Sequence, residues 1–427
     1  LFLYLVFFKI ALFFLAIIRW FNPKIAYFLQ SRRKAFTQLP MPPSGKMVIW
    51  MHCASLGEFE QGRPVLEAIR QQYPDCWIYL SFFSPSGYNV KKNTPLADAV
   101  GYLPFDLPKY IDPWLKALRP NLVIFVKYEF WFYVLQQLKK KQIQVLSISA
   151  IFRPNQPFFA WWGGFARRGL ACFNHIFVQN TQSVQLLQQI GLEQRCTLAG
   201  DTRFDRVWQF TQLPPALPNL ILPFFKSDEN DHSQTTKVLI AGSTWPDDEK
   251  LLAMAFRQFP DNWKMVVVPH EITWSHLQHI EQAFSDQDIV RYSDLVSGKV
   301  NFQSHKQPPK ILIIDTIGLL ANLYRLGQVT WIGGGFGAGI HNTLEAAAWG
   351  IPVCFGPNYK KFNEAVELIN KGAAFSITTW QTLTDKIKEW QQHPENGEVA
   401  GASGKNYIAE QQGATKRIMN YIQDLLA

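Results

Sequence analysis

After an apolar opening, short apolar runs along this chain alternate with segments whose hydrophobic positions recur every three or four residues. The runs, bounded by glycine, proline and polar residues, predict strands, and the intervening periodicity predicts helices. Strands are expected at Val48–Ala54, Trp77–Phe82, Leu122–Val126, Val145–Ser149, Ile176–Gln179 and Thr197–Ala199. A second set is expected at Val238–Ala241, Met265–Val268, Ile311–Ile314, Val329–Ile332 and Ile351–Phe355. Helices are expected at Gly62–Gln71, Trp131–Lys140, Thr181–Gln189 and, at the end, Asn406–Leu426. Strand–helix alternation of this kind argues an α/β class with parallel sheets and covering helices.

Residues 211–236 interrupt the alternation with several prolines and a polar, acidic tail, and read as an interdomain linker. The expected organisation is an apolar segment and basic linker over 1–40, an α/β domain over 41–210, the linker, and a second α/β domain over 237–405. A terminal helix over 406–427 has a course back onto the first domain open to it. Parallel sheets take ligands beyond their strand C-termini, so two such Rossmann-like halves describe a cleft enzyme.

With 48% hydrophobic residues in 427, the chain has ample core and is not a disordered one. Its net charge of +9 invites a nucleic-acid reading, but Lys9, Arg19, Lys24, Arg32, Arg33, Lys34 and Lys46 precede the first acidic residue, Glu58. The basicity belongs to the N-terminus, so no nucleic-acid partner is expected. Leu1 to Trp20 carries only Lys9 and Arg19 as charges. Its length could just span a bilayer, yet a central lysine costs about 2.5–3.5 kcal/mol there, which leaves a helix in the interface as an alternative. A buried core helix is the plain reading. The favoured expectation is a membrane anchor with the body on the cytoplasmic side, with Trp20, Tyr27 and Arg32-Arg33-Lys34 at the headgroups. Five scattered cysteines show no metal-ligand spacing and read as core residues; no metal is expected.

Gly333-Gly334-Gly335-Phe336-Gly337-Ala338-Gly339-Ile340-His341-Asn342-Thr343-Leu344-Glu345 follows one expected strand and leads through a short helix to the next. Glycines allow close backbone approach, and helix-start amides favour an anion, so the segment predicts a phosphate near Gly339–Asn342 with a ribose beside Glu345. It matches neither the dinucleotide fingerprint nor the P-loop. A merely tight strand-to-helix turn remains the alternative.

In the first half, Glu58 stands just past an expected strand, in Ala54-Ser55-Leu56-Gly57-Glu58. It is either a general base or an acid that complements a helix dipole. Glu129, in Lys127-Tyr128-Glu129-Phe130-Trp131, either supports a cationic transition state or pairs with Lys127 or Arg153. Arg203 either reaches a phosphate or bridges to Asp201 or Asp205. Ser243 and Thr244 donate to phosphate or cap a helix, while Pro269-His270 and Asp315-Thr316-Ile317-Gly318 end strands where a nucleotide base could be framed.

Taken in order, His52-Cys53-Ala54-Ser55-Leu56-Gly57-Glu58, Tyr128-Glu129-Phe130-Trp131, Gly242-Ser243-Thr244, Asp315-Thr316-Ile317-Gly318, Gly333–Glu345 and Gly356-Pro357 resemble the 3-deoxy-D-manno-octulosonic acid (Kdo) transferases of lipopolysaccharide assembly. The resemblance covers nearly the whole chain. It implies GT-B architecture, the donor CMP-Kdo, a lipid A precursor (lipid IVA) as acceptor, and the bacterial inner membrane. By position, Glu58 matches the general base of an inverting transfer, and Glu129 and Arg203 the transition-state support. Ser243, Thr244, Pro269, His270, Ile317, Gly318, Leu319, Gly339, His341, Asn342, Thr343, Leu344 and Glu345 fall to the CMP side. Ser55, Gly57 and Arg153 fall to the acceptor side. No cofactor is implied. The chain departs from the family at Lys127, commonly an acid, at His270, commonly an arginine, and at Lys361, commonly an asparagine. Other readings are a GT-B transferase using a UDP-sugar and a lipid-linked acceptor, a nucleotide-sugar epimerase, and a non-catalytic membrane tether.

Overall fold

The computed structural model describes residues 1–37, 39–127, 129–214, 216–226, 235–302 and 309–426, the side chains of 33–37 excepted. Tyr128, Pro215 and 227–234 of the expected linker lie outside the described residues. The chain divides into two units, Leu1–Arg206 with Gln411–Ala427, and Val207–Glu410.

The first unit holds seven parallel strands: β1 (Val48–Cys53), β2 (Trp77–Phe82), β3 (Ala99–Tyr102), β4 (Leu122–Val126), β5 (Gln144–Ala150), β6 (His175–Val178) and β7 (Cys196–Leu198), ordered β3-β2-β1-β4-β5-β6-β7. Every residue of β1 and β4 is buried, as strands covered on both faces require; β4 reads as an unbroken apolar run and β1 as one interrupted by His52. The period of two sorts their side chains. Trp50, Val123 and Phe125 enter one core layer; Ile49, Met51, Ile124 and Val126 enter the other. The second layer is closed by Phe59, Val65 and Ile69 of a helix, α3 (Leu56–Gln72), and by Ile418, Met419 and Ile422 of the helix Ala414–Leu426. Gly62 lets α3 lie close to the sheet, since a Cβ there would stand 2.9 Å from Val126 Cγ2.

The second unit holds β8 (Lys237–Thr244), β9 (Trp263–Pro269), β10 (Ile289–Arg291), β11 (Ile311–Ile313), β12 (Val329–Ile332), β13 (Val353–Phe355) and β14 (Ala374–Ser376), again all parallel, in the order β10-β11-β9-β8-β12-β13-β14. In both sheets the order reverses at the centre, between β1 and β4 and between β8 and β12. Such a reversal opens a crevice at the strand C-termini.

The expected elements differ from the observed ones at particular places. β3, β10 and β14 are short edge strands, partly exposed, with no apolar run long enough to register in the sequence. β13 starts at Val353 rather than Ile351, because Pro352 has no N–H to donate and offers only its carbonyl, to Thr330 N at 3.0 Å. α3 starts six residues before the expected Gly62, at a Ser55 cap. The expected terminal helix over 406–426 is two, Pro394–Glu410 and Ala414–Leu426, parted where Gly413 takes φ +102°. The Asp205 carboxylate receives the Gly413 and Thr415 amides, each at 2.6 Å, and so fixes the start of the last helix.

The N-terminus forms two helices, α1 (Phe2–Ile18) and α2 (Pro23–Thr37). Tyr4 ties α1 to the first unit by donating to Asp106 Oδ2 at 2.7 Å and by packing its ring edge-on to Phe132. Leu1 and Leu5 rest on the core, while Phe2 and Leu3 are 77% and 80% exposed, and Phe7, Phe13 and Phe14 are exposed as well. At about 1.5 Å per residue, 17 residues reach roughly 25 Å, less than a bilayer core of about 30 Å. No helix of the described residues is long and apolar enough to cross a membrane. Arg32, expected among headgroups, is instead buried. Its guanidinium lies over Phe28, Phe83 and Tyr102, 3.9, 4.7 and 4.8 Å from the ring centroids, and donates to the Phe83 carbonyl. Burial pulls its pKa down to about 10.

Candidate active site

In the first unit the chemistry sits past β1 and β4, the two strands at the reversal. The turn after β1 caps α3 with Ser55, whose Oγ accepts from Glu58 N at 3.4 Å. This places Glu58 in the first helical turn with its side chain folded back, where Oε2 accepts from the Ala54 amide at 2.5 Å. Glu58 is 9% exposed. Burial, and then the charge of Glu129, push its pKa up to about 7, against a smaller pull from the Ala54 amide and Lys127. Lys127 thus faces the candidate base, and it does so from a left-handed backbone at φ +65°.

Glu129 follows β4 and is also buried. Its Oε2 takes the Trp131 indole N–H at 2.5 Å and faces His52 Nε2 at 3.0 Å. Glu129 thus pairs with His52, a partner the sequence reading did not name. Arg153 is exposed and uses its backbone amide on Gln156. Ser55 is half-buried and Gly57 exposed, beside Glu58. Arg203 forms a two-pronged bridge to Asp201 Oδ2, from Nε at 2.9 Å and Nη2 at 2.7 Å. The plain alternative for Arg203 is therefore realised with Asp201.

In the second unit the motifs lie along four neighbouring strands, β11-β9-β8-β12, at their C-terminal ends. Trp245, His270 and His341 stack there. Trp245 and His270 are 4.9 Å apart at 26°, and His270 and His341 are 4.2 Å apart at 21°. Trp245 Nε1 donates to His341 Nε2 at 2.9 Å, so the His341 proton resides on Nδ1. Burial, with His270 alongside, pulls the His341 pKa down to about 4. Ile317 is 91% exposed, and Gly318 turns the chain at φ +100° ahead of Leu319. Pro269 ends β9.

The glycine segment is held from within. Asp248 is buried and accepts from Gly334 N at 2.8 Å, Trp245 N at 3.0 Å and Trp331 Nε1 at 3.3 Å. Gly333 packs against the end of β8, where a Cβ would stand 2.1 Å from the Ser243 carbonyl oxygen. Two amides expected near a phosphate are already engaged: Gly339 N donates to Gly334 O at 3.3 Å, and His341 N to Gly333 O at 3.1 Å. The loop closes on itself because its glycines permit it. Asn342 Oδ1 accepts from Leu344 N, and its Nδ2 donates to Glu345 Oε1 at 3.0 Å. Thr343 and Leu344 are buried at the start of the helix Leu344–Ala348.

Thr244 differs from its phosphate-donor expectation. It is fully buried and its hydroxyl donates to Glu249 Oε1 at 2.8 Å. Glu249 in turn meets His276 Nε2 at 3.0 Å. Ser243, by contrast, is half-buried with a left-handed φ of +53°. Sequence reasoning assigned no role to His52, Ser81, Asp248, Glu249 or His276. The first stood inside a quoted motif.

A sequence model of the family described as 3-deoxy-D-manno-octulosonic-acid transferase (kdotransferase) matches residues 28–206, the part holding Glu58 and Glu129. A 3-deoxy-D-manno-octulosonic acid transferase of Chlamydophila psittaci is 25% identical over 392 residues, 90% of this chain and 86% of that protein. One of Rickettsia felis is 25% identical over 91% of this chain and 81% of its own length. In sequence the chain is similar to Kdo transferases, through this model over residues 28–206 and through these relatives over 90% and 91% of its length. The fold has wider company: the UDP-GlcNAc 2-epimerase of Neisseria meningitidis, solved bound to UDP-GlcNAc, superposes with a TM-score of 0.60 at 14% identity, over 88% of this chain and all of that one. That likeness is one of fold, the two-sheet α/β arrangement of GT-B proteins. Both carboxylates of the first unit stand past strand C-termini, where a parallel sheet exposes chemistry.

Proposed function

We propose that the chain is an inverting glycosyltransferase that moves Kdo from CMP-Kdo to a hydroxyl of a lipid A precursor such as lipid IVA. The observation that carries the reading is Glu58, a buried carboxyl lifted to about 7 inside the region that matches the family. A base is most effective when its pKa lies near the working pH. Glu58 takes the proton of the acceptor hydroxyl, whose oxygen attacks the anomeric carbon of Kdo as the bond to the CMP phosphate breaks. The sugar centre becomes oxocarbenium-like, and the Glu129 carboxylate offsets that charge, with Arg203 in support. Ser55, Gly57 and Arg153 are assigned to the acceptor.

The CMP moiety is assigned to the second unit, with Ser243, Pro269, His270, Ile317, Gly318 and Leu319 around the base and Gly339 to Glu345 around ribose and phosphate. Thr244 supports this region through Glu249. The reading gives no step to a metal or cofactor. For the acceptor, the exposed apolar side of α1, with Trp20 and Phe21 beyond it and Arg19 and Lys24 beside them, suits a helix lying in the interface of the inner membrane on its cytoplasmic side. The test is to incubate the protein with CMP-Kdo and lipid IVA and to weigh the product. A mass increase by whole Kdo units supports the reading, and an unchanged acceptor with active controls refutes it.

A further inference from the structure

His52 lies fully buried between two polar neighbours, with Nδ1 2.8 Å from Ser81 Oγ and Nε2 3.0 Å from Glu129 Oε2. Ser81 is buried too, and its Oγ also receives the Trp50 indole N–H at 2.7 Å. These contacts leave one assignment in which every group is satisfied. An indole N–H only donates, so Ser81 accepts there and has a single proton left to give. An ionised carboxylate only accepts, so the His52 proton facing Glu129 is on Nε2. A neutral imidazole then presents a bare Nδ1 to the Ser81 hydroxyl. Protonating Nδ1 as well would leave that hydroxyl with two donors and no acceptor of its own.

We propose that Trp50, Ser81 and His52 form a buried positioning relay that fixes the Nε2–H tautomer of His52 and thereby holds Glu129 as a carboxylate beside Glu58. The inference rests on the proposed function for what Glu129 does, though not for the relay itself. Trp131 brings a second N–H to the same oxygen, Oε2, which leaves Oε1 for the reacting centre. Among the described residues, the charged and titratable groups around the pair are Cys53 from β1, Glu58 from the first turn of α3, Lys127 from the end of β4, and His52. The charge of Glu129 is one of the causes lifting Glu58. His52 is therefore a positioning residue that acts through Glu129.

Two measurements on the full chain test this. The first needs no turnover: nitrogen-15 NMR of imidazole-labelled protein, with His52 assigned by its loss in His52→Gln. The expected result is the Nε2–H tautomer at pH 7.5, and a mixed tautomer signal in Ser81→Ala. A His52 that carries its proton on Nδ1 in the native chain overturns the relay whatever the activity. The second is the pH profile of kcat/KM for Kdo transfer. His52→Phe removes the N–H, so two protons must leave before turnover; the acid limb steepens towards a slope of two and kcat falls at least tenfold with CMP-Kdo binding retained. His52→Gln keeps an N–H towards Glu129 and is expected to restore single-proton behaviour and most of the rate. Equal losses in both variants with an unaltered limb mean a packing role and overturn the proposal. A native chain that shows the tautomer but transfers no Kdo refutes the proposed function and leaves the relay standing.

Discussion

Replacing Glu58 by glutamine separates the chemistry of this residue from its effect on the fold. Glutamine has nearly the same shape and its Oε1 can still accept the Ala54 amide, so the local geometry has no reason to change. Only the ionisation is lost. In the folded chain the carboxyl is lifted from its ordinary 4.5 to about 7, chiefly by burial and then by Glu129. The folded state therefore holds this proton more tightly than the unfolded one. Its favourable contribution is complete below about pH 4.5 and is lost as pH rises towards 7, where the shift corresponds to on the order of 3 kcal/mol. The glutamine variant has no such loss. Urea unfolding at pH 5 and pH 8 is expected to show the variant gaining on the native chain at the higher pH, by up to that amount, while Kdo transfer falls by about 10²–10⁴-fold. A variant destabilised at pH 8, or one that keeps native turnover, refutes the assignment.

Asp248→Ala leaves the Gly334, Trp245 and Trp331 N–H groups without their acceptor, and at about 1–3 kcal/mol per buried orphan it is expected to lower the unfolding midpoint and weaken CMP-Kdo binding by calorimetry. His341 is held neutral, with its pKa pulled down to about 4, so its contribution is present above its ordinary 6.5 and lost as pH falls between these values. His341→Phe is expected to flatten the stability decline in that window, and an unchanged slope in chemical unfolding counts against it. Phe7→Glu with Phe13→Glu places charge on the exposed side of α1 and is expected to reduce sedimentation with vesicles containing anionic lipid; unchanged sedimentation refutes the interfacial assignment.

The central strands were legible in the sequence because burial on both faces keeps polar interruptions few. Trp77–Phe82, Leu122–Val126 and Val329–Ile332 have the bounds that their apolar runs suggest. Edge strands such as Ala374–Ser376 were not, since a half-exposed strand of three residues leaves no pattern. Position relative to the sheet was legible as well, and Glu58 and Glu129 stand just past their strands. What a side chain touches was not. Arg32 belongs to a basic cluster in sequence, but two rings from distant segments, Phe83 and Tyr102, enclose it with Phe28. Thr244 looks like a phosphate donor until Glu249, five residues on, takes its hydroxyl. The engaged amides of Gly339 and His341 depend on how a glycine loop folds back, which composition leaves open.

The two units carry a carboxylate at the same place, and their partners separate the proposed base from an acid that holds backbone. Glu58 and Asp248 each occupy the third position of the helix that follows the first strand at the sheet's reversal, after β1 and after β8. Both are buried, and both are lifted, to about 7 and about 6, with burial the largest cause. A raised pKa therefore does not distinguish them. Their partners do. Asp248 accepts from three N–H groups, two of the backbone and one indole, which hold the glycine loop and the Trp245 turn. Among the described residues Glu58 accepts from one, the Ala54 amide, and has a second carboxylate for a neighbour. Three donors commit a carboxylate to holding backbone. One donor and a negative neighbour leave a carboxylate whose ionised form is poorly satisfied and which gains from taking a substrate proton. By that criterion glutamine at 58 should cost turnover and spare the fold, whereas alanine at 248 should first loosen the loop. Measured side by side, equal effects of the two substitutions on unfolding would remove the distinction.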